Sequence, residues 1–510
     1  MDDMISRHKT LVAWLHEIAP NAQLSSDSRS IAPGDIFLAY PNEEADGRNY
    51  IAHAIKQGAC AVLYDDSEDF EWSGAMDIAH RPVSGLREIA GHVANAFYGQ
   101  PDAAMFTVAV TGTNGKTSCS QWLGHALSRS GEKTVVIGTL GVGMFEQGEP
   151  GEFEFTGYTT PDAALLHRKL AQCRDRGASA LAIEASSIGL HQGRLNGMHV
   201  DVALFTNFTR DHLDYHGTMQ AYEDAKNILF DWPGLRHAIV NLDDDMGLRL
   251  ARRLQKTPTI SVQGYSVAGK SVDGVKLLSA SAIQVTSAGT SFQLDSAYGS
   301  AHVKTRLVGQ FNVSNVLGII GVLLAKGTSW KDAIDTVTHL AAVPGRMQQL
   351  GGQDAPLVVI DYAHTPDALE KALLTLREVA NQRNGQLWCL FGCGGSRDPG
   401  KRPQMGAVAS ALADHIVVTS DNPRSENPAK IITQIVEGMR PNVASQAHIT
   451  EERASAILWA IKHATKQDVV LLAGKGHETY QEINGRKMPF LDADHAALAL
   501  SARATMKGTS

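Results

Sequence analysis

Long apolar runs are missing from this chain. No stretch approaches the roughly 18 consecutive apolar residues of a membrane span, so nothing in it reads as a transmembrane helix. The first residues, MDDMISRHKTLVAWLHEIAP, lack a basic start followed by an apolar run, and a cytoplasmic location is the expectation. Cysteine is scarce as well: Cys60, Cys119, Cys173, Cys389 and Cys393 are spread through apolar segments without a CxxC pair. That pattern reads as reduced core thiols. Nor is there an excess of positive charge. Lys and Arg total 46 against 54 Asp and Glu, for a formal charge of -8 and an isoelectric point near 6.2. This argues against a nucleic-acid surface and confines anion binding to local pockets.

What is present begins with the stretch FTVAVTGTNGKTS at 106–118. Its first half is apolar and β-branched, as in a buried parallel strand, and Gly112 and Gly115 bracket a tight turn before Lys116 and Thr117 open a helix. Such a turn cradles phosphate: backbone N–H groups close on anionic oxygens, the lysine reaches the β and γ phosphates, and the threonine hydroxyl can hold Mg²⁺. Gly112, Thr113, Asn114, Gly115, Lys116, Thr117 and Ser118 are therefore the candidate nucleotide contacts. The spacing departs from GxxxxGK[ST], because Val110 stands where the first glycine would be. An ordinary turn remains the competing reading of this stretch alone.

At 510 residues the chain is too long for one core, and its length suggests roughly three domains. Residues 1–103 read as a small α/β unit, with strands at GDIFLAY and CAVLYDD and helices at NYIAHAIKQG and LREIAGHVANAFYG. From 104 to 342 strands and helices alternate, which predicts a parallel sheet wrapped by helices. TVVIGTLGVG, ASALAIEASS, VDVALFTNF and HAIVNLDDD are its further strands, and the β-rich 258–308 is an insertion at its edge. Residues 343–510 form a third, Rossmann-like unit in which PLVVI, LWCLF, HIVVT and VVLLA each run into a polar loop: DYAHTP, GCGGSRDPGKRP, SDNPRSENP and GKGHE. In doubly wound sheets ligands bind outside the carboxyl ends of strands, so these loops are expected to converge on one site. Thr365 before Pro366, and Asn427 before Pro428, read as helix N-caps.

Several of these motifs fall in one order: GTNGKT at 112–117, DHLDYHG at 211–217, the lysine of YEDAKN, FNVSN at 311–315, PGRM at 344–347 and DYAHTPDA at 361–368. In this the chain resembles, over essentially its whole length, the Mur ligases, ATP-dependent amide-forming enzymes of peptidoglycan precursor synthesis. DSR near the start, YTTP at 158–161, DNPR at 421–424 and GKGHE at 474–478 bring it nearest the branch that adds meso-diaminopimelate to UDP-MurNAc-L-Ala-D-Glu. The resemblance implies a reaction: the γ-phosphate of ATP passes to the D-glutamate side-chain carboxylate, and an amine displaces phosphate from the acyl phosphate. Such a site must gather two anions with cations between them.

The resemblance also implies residue roles. Lys116, Glu184, His212 and Lys226 would be catalytic. Thr117 and Glu184 would hold one Mg²⁺, and His212 and Lys226 a second, with Lys226 carrying CO₂ as a carbamate because an ammonium cannot ligate a hard cation. On sequence alone, Glu184 at a strand end reads as a solvated carboxylate and Lys226, on an amphipathic helix, as a surface charge. Asn312 and Asn315 would reach the base, and Arg346, Asp361 and His364 would complete the ATP site, with Pro344-Gly345 as hinge. Ser26, Ser28, Glu43, Glu44 and Ala45 would touch UDP, while Thr159, Thr160, Ser186, Gln192 and Arg194 would hold the sugar and peptide. Arg397, Asp421, Asn422, Pro423, Arg424, Gly474 and Glu478 would bind diaminopimelate, the arginines forking onto its extra carboxylate. Relatives commonly have histidine at the place of Ile188 and leucine at that of Ser26, so fine substrate contacts are open at both. A monomer without nucleic-acid or membrane partners is expected. The rival readings are a lysine-adding ligase of the same family, a folylpolyglutamate synthase, and a non-catalytic nucleotide-binding scaffold.

Overall fold

A computed structural model describes residues 2–507 apart from 44, 68, 69 and 75. Glu44, expected at the UDP, thus lies outside the described residues.

Three large sheets follow one another, with a two-stranded hairpin, Tyr480–Ile483 and Arg486–Pro489, near the end; the first has four parallel strands in chain order, Leu24–Ser25, Ile36–Ala39, Ala61–Asp65 and Ala79–Val83. Period-2 alternation assigns its two faces. Ile36, Leu38 and Leu63 pack on the helix Leu86–Phe97, whereas Phe37 and Val62 pack on the helix Ile51–Gln57. The helix Asp2–Ile18, which the sequence reading did not mark, adds Leu11 and Leu15 to the first face.

In the central sheet, 11 strands lie in one continuous ladder. The nucleotide strand Phe106–Thr111 sits between Ala180–Glu184 and Val202–Phe205, parallel to both. Register places Val110 beside Glu184 and Thr111 beside Phe205, so three strands end together. Burial on both faces explains their unbroken apolar runs: Val108 and Val110 meet Cys119 and Leu123 on one side, and Ala109 meets Ile183 and Phe205 on the other.

TVVIGTLGVG, expected as one strand, is two. Thr134–Gly138 and Gly141–Glu146 pair antiparallel across a turn at Thr139-Leu140. Gly141 makes the reversal with φ 111°, at a place where a Cβ would run into the Glu154 carbonyl. On the opposite side the 258–308 segment extends the sheet, as expected, by Ser261–Ser266, Lys276–Thr286, Gly289–Ser296 and Gly299–Thr305. The helix Gln310–Lys326 crosses behind, with Val316, Leu317 and Ile320 in one core with Leu204, Ile239 and Leu278.

The third sheet has six strands, ordered Gln348–Gly351, Leu357–Asp361, Val469–Ala473, Leu387–Phe391, His415–Val418 and His448–Ile449, parallel except for the first. Both expected caps form. Thr365 accepts from the Ala368 N–H ahead of the helix Pro366–Gln382, and Asn427 from the Ala429 N–H ahead of Pro428–Glu437. The helix Arg453–His463 is joined to the last helix, Asp492–Lys507, by a fully buried Arg453–Asp492 pair at 2.6 Å. Among the described residues no helix is long and apolar enough to cross a membrane.

Candidate active site

Where the strands of the central sheet end, a cavity of about 1350 Å³ opens, lined by residues from beside all three sheets. Its floor is the phosphate cradle. Gly112 adopts φ 147° and Gly115 φ 89°, and a Cβ on Gly112 would run into Thr206 Oγ1, so the turn closes only with glycine there. Lys116 Nζ donates to the Gly112 carbonyl at 2.8 Å and to that of Thr113 at 2.9 Å. Lys226 is no surface lysine: it is 1% exposed, its Nζ donates to the same Gly112 carbonyl at 2.9 Å, and it stands 4.4 Å over the Tyr222 ring. Burial holds both ammonium groups below the usual lysine range, Lys226 far below it with the Lys116 charge adding to the effect.

Glu184 is likewise buried, at 1% exposure. It accepts from the Thr139 N–H at 2.9 Å, from Thr139 Oγ1 at 3.1 Å and from Thr117 Oγ1 at 3.1 Å. Burial pushes its carboxyl up, and Lys116 opposes that rise. Arg346 reaches across from the third sheet, donating to Thr117 Oγ1 at 3.2 Å and to His477 Nδ1 at 3.1 Å, its guanidinium 4.5 Å over Tyr362. Asp361 accepts from the Met347 N–H at 2.8 Å, and burial raises its pKa against the nearby Arg346.

Asp211 lies between His212 and His364, each with Nε2 at 3.6 Å from Oδ2. Burial works against its ionisation, but the two imidazoles beside it and the more distant Lys401 hold the carboxyl well below its usual range. Burial lowers His212 to about 4, with Asp211 opposing. Asn312 and Asn315 line the cavity, Asn312 Nδ2 donating to the Val308 carbonyl at 2.9 Å.

On the side toward the first sheet stand Glu43, Thr159, Thr160, Ser186, Gln192 and Arg194, with Ile188 among them. Thr160 Oγ1 donates to the Glu184 carbonyl at 2.7 Å, Arg194 Nη1 to the Thr160 carbonyl at 2.8 Å, and Gln192 Nε2 to Glu43 at 2.7 Å. Ser26, Ser28 and Ala45 lie outside the lining, Ser28 buried with its hydroxyl 3.1 Å from His53 Nδ1.

The four loops of the third sheet meet in two tiers. Asp361, His364 and Arg397 line the cavity, while Asp421, Asn422, Pro423, Arg424, Gly474 and Glu478 do not. Those behind are bound to one another: Asn422 Nδ2 donates to Glu478 at 2.7 Å, and the fully buried Lys475 donates to Glu478 at 2.9 Å and to the Tyr480 carbonyl at 2.6 Å. Arg424 has partners within the chain. Its Nη1 donates to the Gly395 carbonyl at 2.8 Å and its Nε is 3.6 Å from Glu482.

Sequence reasoning missed Thr139, Asp211, Tyr222 and Lys475. Thr139 carried a signal in its flanking glycines, and Asp211 opened a motif already noticed. Tyr222, one helical turn before Lys226, had none. For Mg²⁺, the Thr117 hydroxyl and the Glu184 carboxylate supply hard oxygen donors in contact with each other. Among the described residues no three of His, Cys, Asp and Glu are grouped so as to hold a metal ion by themselves.

Three family models match the chain: "Mur ligase family, catalytic domain" over 22–98, "Mur ligase middle domain" over 110–323 and "Mur ligase, glutamate ligase domain" over 345–476. The chain is 64% identical over 503 residues to a UDP-N-acetylmuramoyl-L-alanyl-D-glutamate--2,6-diaminopimelate ligase of Janthinobacterium sp. (strain Marseille), with 98% of each chain covered. It is 45% identical over 498 residues to the protein of that name from Pseudomonas aeruginosa, covering 96% of this chain and 98% of that one. A solved structure of a ligase of the same name matches with a TM-score of 0.65 at 35% identity, over 94% of this chain and 95% of that one.

Proposed function

The chain belongs to the Mur ligase family, and from that premise we propose that it joins meso-2,6-diaminopimelate to the D-glutamate side-chain carboxylate of UDP-MurNAc-L-Ala-D-Glu, using ATP. One observation carries the reading: the cavity that holds the phosphate cradle also holds Arg194 toward the first sheet and Arg397 toward the third, anion partners for two carboxylate-bearing substrates. In this reading residues 1–103 take the UDP end, 104–342 the ATP and 343–510 the amine donor. Action as a monomer is part of the same proposal. ATP and a nucleotide-linked precursor as substrates support a cytoplasmic setting.

Lys116 neutralises the β and γ phosphates, and Arg346 approaches the same oxygens from the other wall. A carboxylate oxygen of the acceptor attacks the γ-phosphorus and the bond to ADP breaks. The donor amine then attacks the acyl carbon, loses a proton, and phosphate departs with the oxygen it took from the carboxylate. Developing negative charge at each step faces fixed cations. Thr117 and Glu184 would hold one Mg²⁺, and His212 with carbamylated Lys226 a second; when bound there these ions add positive charge beside the phosphates. The depressed Lys226 suits that modification, because only a neutral amine adds to CO₂.

Phosphate release from ATP with UDP-MurNAc-L-Ala-D-Glu tests the reading in three arms. Release that depends on meso-diaminopimelate, with little on lysine and none without amine, is expected. Equal rates with lysine would refute the donor assignment, and release independent of any amine would refute the ligase.

A further inference from the structure

The loop after the strand Leu387–Phe391 is tied down along its first half. Gly395 N–H donates to the Asn422 carbonyl at 2.9 Å, the Ser396 and Ser425 hydroxyls meet at 2.9 Å, and Arg402 Nη2 donates to the Gly394 carbonyl at 3.1 Å. Past Ser396 it leaves the third sheet and crosses to the segment 210–216 of the central unit. There Arg397 Nη1 lies 3.3 Å from Asp214 Oδ2, and Arg210 Nη2 lies 3.2 Å from Asp398 Oδ2. Each side contributes one arginine and one aspartate. Exchanging partners would bring like charges together, so the arrangement fixes which residue faces which.

Asp214 is itself on a short, anchored element, the helix Leu213–His216. Its neighbour Tyr215 has its hydroxyl 2.9 Å from His191 Nδ1 and 3.2 Å from Gln192 Nε2, and His216 Nε2 is 2.9 Å from Ser187 Oγ. Asp214 and Arg397 both line the cavity, and the Arg397 side chain is 54% exposed. A guanidinium has five N–H groups in a fixed fork, and Asp214 engages one of its nitrogens.

We infer that Asp214 is a positioning residue for the amine donor: it holds one corner of the Arg397 guanidinium across the cleft and leaves its other N–H groups to the donor's far carboxylate. This rests on the donor reading above. The backbone of Arg397 is set from the third sheet and its side chain from the central one, so the fork is ordered before the substrate arrives. Pre-ordering a long, half-exposed side chain lowers the cost of binding without touching the reacting atoms, and therefore acts on KM.

Steady-state kinetics of the full-length enzyme tests this. Asp214→Asn is expected to raise KM for meso-diaminopimelate about 3- to 10-fold, with kcat and the KM values for ATP and UDP-MurNAc-L-Ala-D-Glu within about 2-fold of wild type. Asp214→Glu restores most of the loss, and in an Arg397→Gln background Asp214→Asn adds nothing further. An unchanged or lowered diaminopimelate KM in Asp214→Asn overturns the inference, as does an equal rise in all three KM values or an equal rise without Arg397. A wild type lacking diaminopimelate-dependent turnover overturns the ligase reading and this inference with it; a competent wild type beside an unmoved Asp214→Asn overturns the inference alone.

Discussion

Lys226 and Lys116 point their amines at the same carbonyl, that of Gly112, although 110 positions separate them in the chain. Lys226→Ala should lower ligase turnover about 100-fold or more if its modified form holds charge beside the phosphates, and a short-chain carboxylate should restore part of it. Turnover equal to wild type would remove Lys226 from the machinery. Thr139 gives Glu184 two of its hydrogen bonds, one of them through its hydroxyl. Thr139→Val is accordingly expected to cost about 10-fold in activity and to raise the Mg²⁺ concentration needed for half-maximal rate. Lys116 and Thr117 were readable because a glycine-bracketed turn advertises its purpose. Glu184 and Lys226 were not: their burial is decided by strands and helices far away in the chain, and only the resemblance raised them above a solvated carboxylate and a surface amine.

Between elements, the buried polar contacts carry the clearest consequences. Arg453 donates through Nε and Nη2 to both oxygens of Asp492, and Nη2 also reaches the Ala473 carbonyl at 3.0 Å. Asp492→Asn leaves a buried guanidinium without its counter-charge, and denaturant unfolding should show a loss of about 3–5 kcal/mol. His167 joins the helix Ala163–Asp175 to Leu86–Phe97. It is fully buried, with Nε2 donating to the Asn196 carbonyl at 3.0 Å and Nδ1 accepting from Asn95 Nδ2 at 3.3 Å, so its hydrogen bonds suit the neutral ring. Burial lowers its pKa below the unfolded value of about 6.5. Above that value the group costs nothing; as pH falls through it, the unfolded chain binds a proton that the fold refuses, and stability declines. Urea denaturation from about pH 7 to about pH 5 should show this slope in wild type and a flatter one in His167→Gln. Caps were readable at this scale because Thr-Pro and Asn-Pro act locally. The reversal at Thr139-Leu140 was not, since an apolar run containing three glycines fits one strand as well as a hairpin.

At the scale of the molecule, the site exists because three sheets present loops to one cavity, and no sheet supplies every charge the reaction needs. Alternation of strands and helices made the α/β class readable, and four strand–loop repeats in the third unit pointed to a shared site. Sequence could not say that DNPR and GKGHE stand behind the lining while Arg397 stands in it, because that depends on how loops from different strands stack against one another. The central claim is that this cavity activates the acceptor's side-chain carboxylate by phosphorylating it. Its most direct test is turnover of UDP-MurNAc-L-Ala-D-Glu labelled with ¹⁸O in both oxygens of that carboxylate, with ATP and meso-diaminopimelate. One labelled oxygen should appear in each phosphate released and the other remain in the new amide; released phosphate free of label would contradict the account.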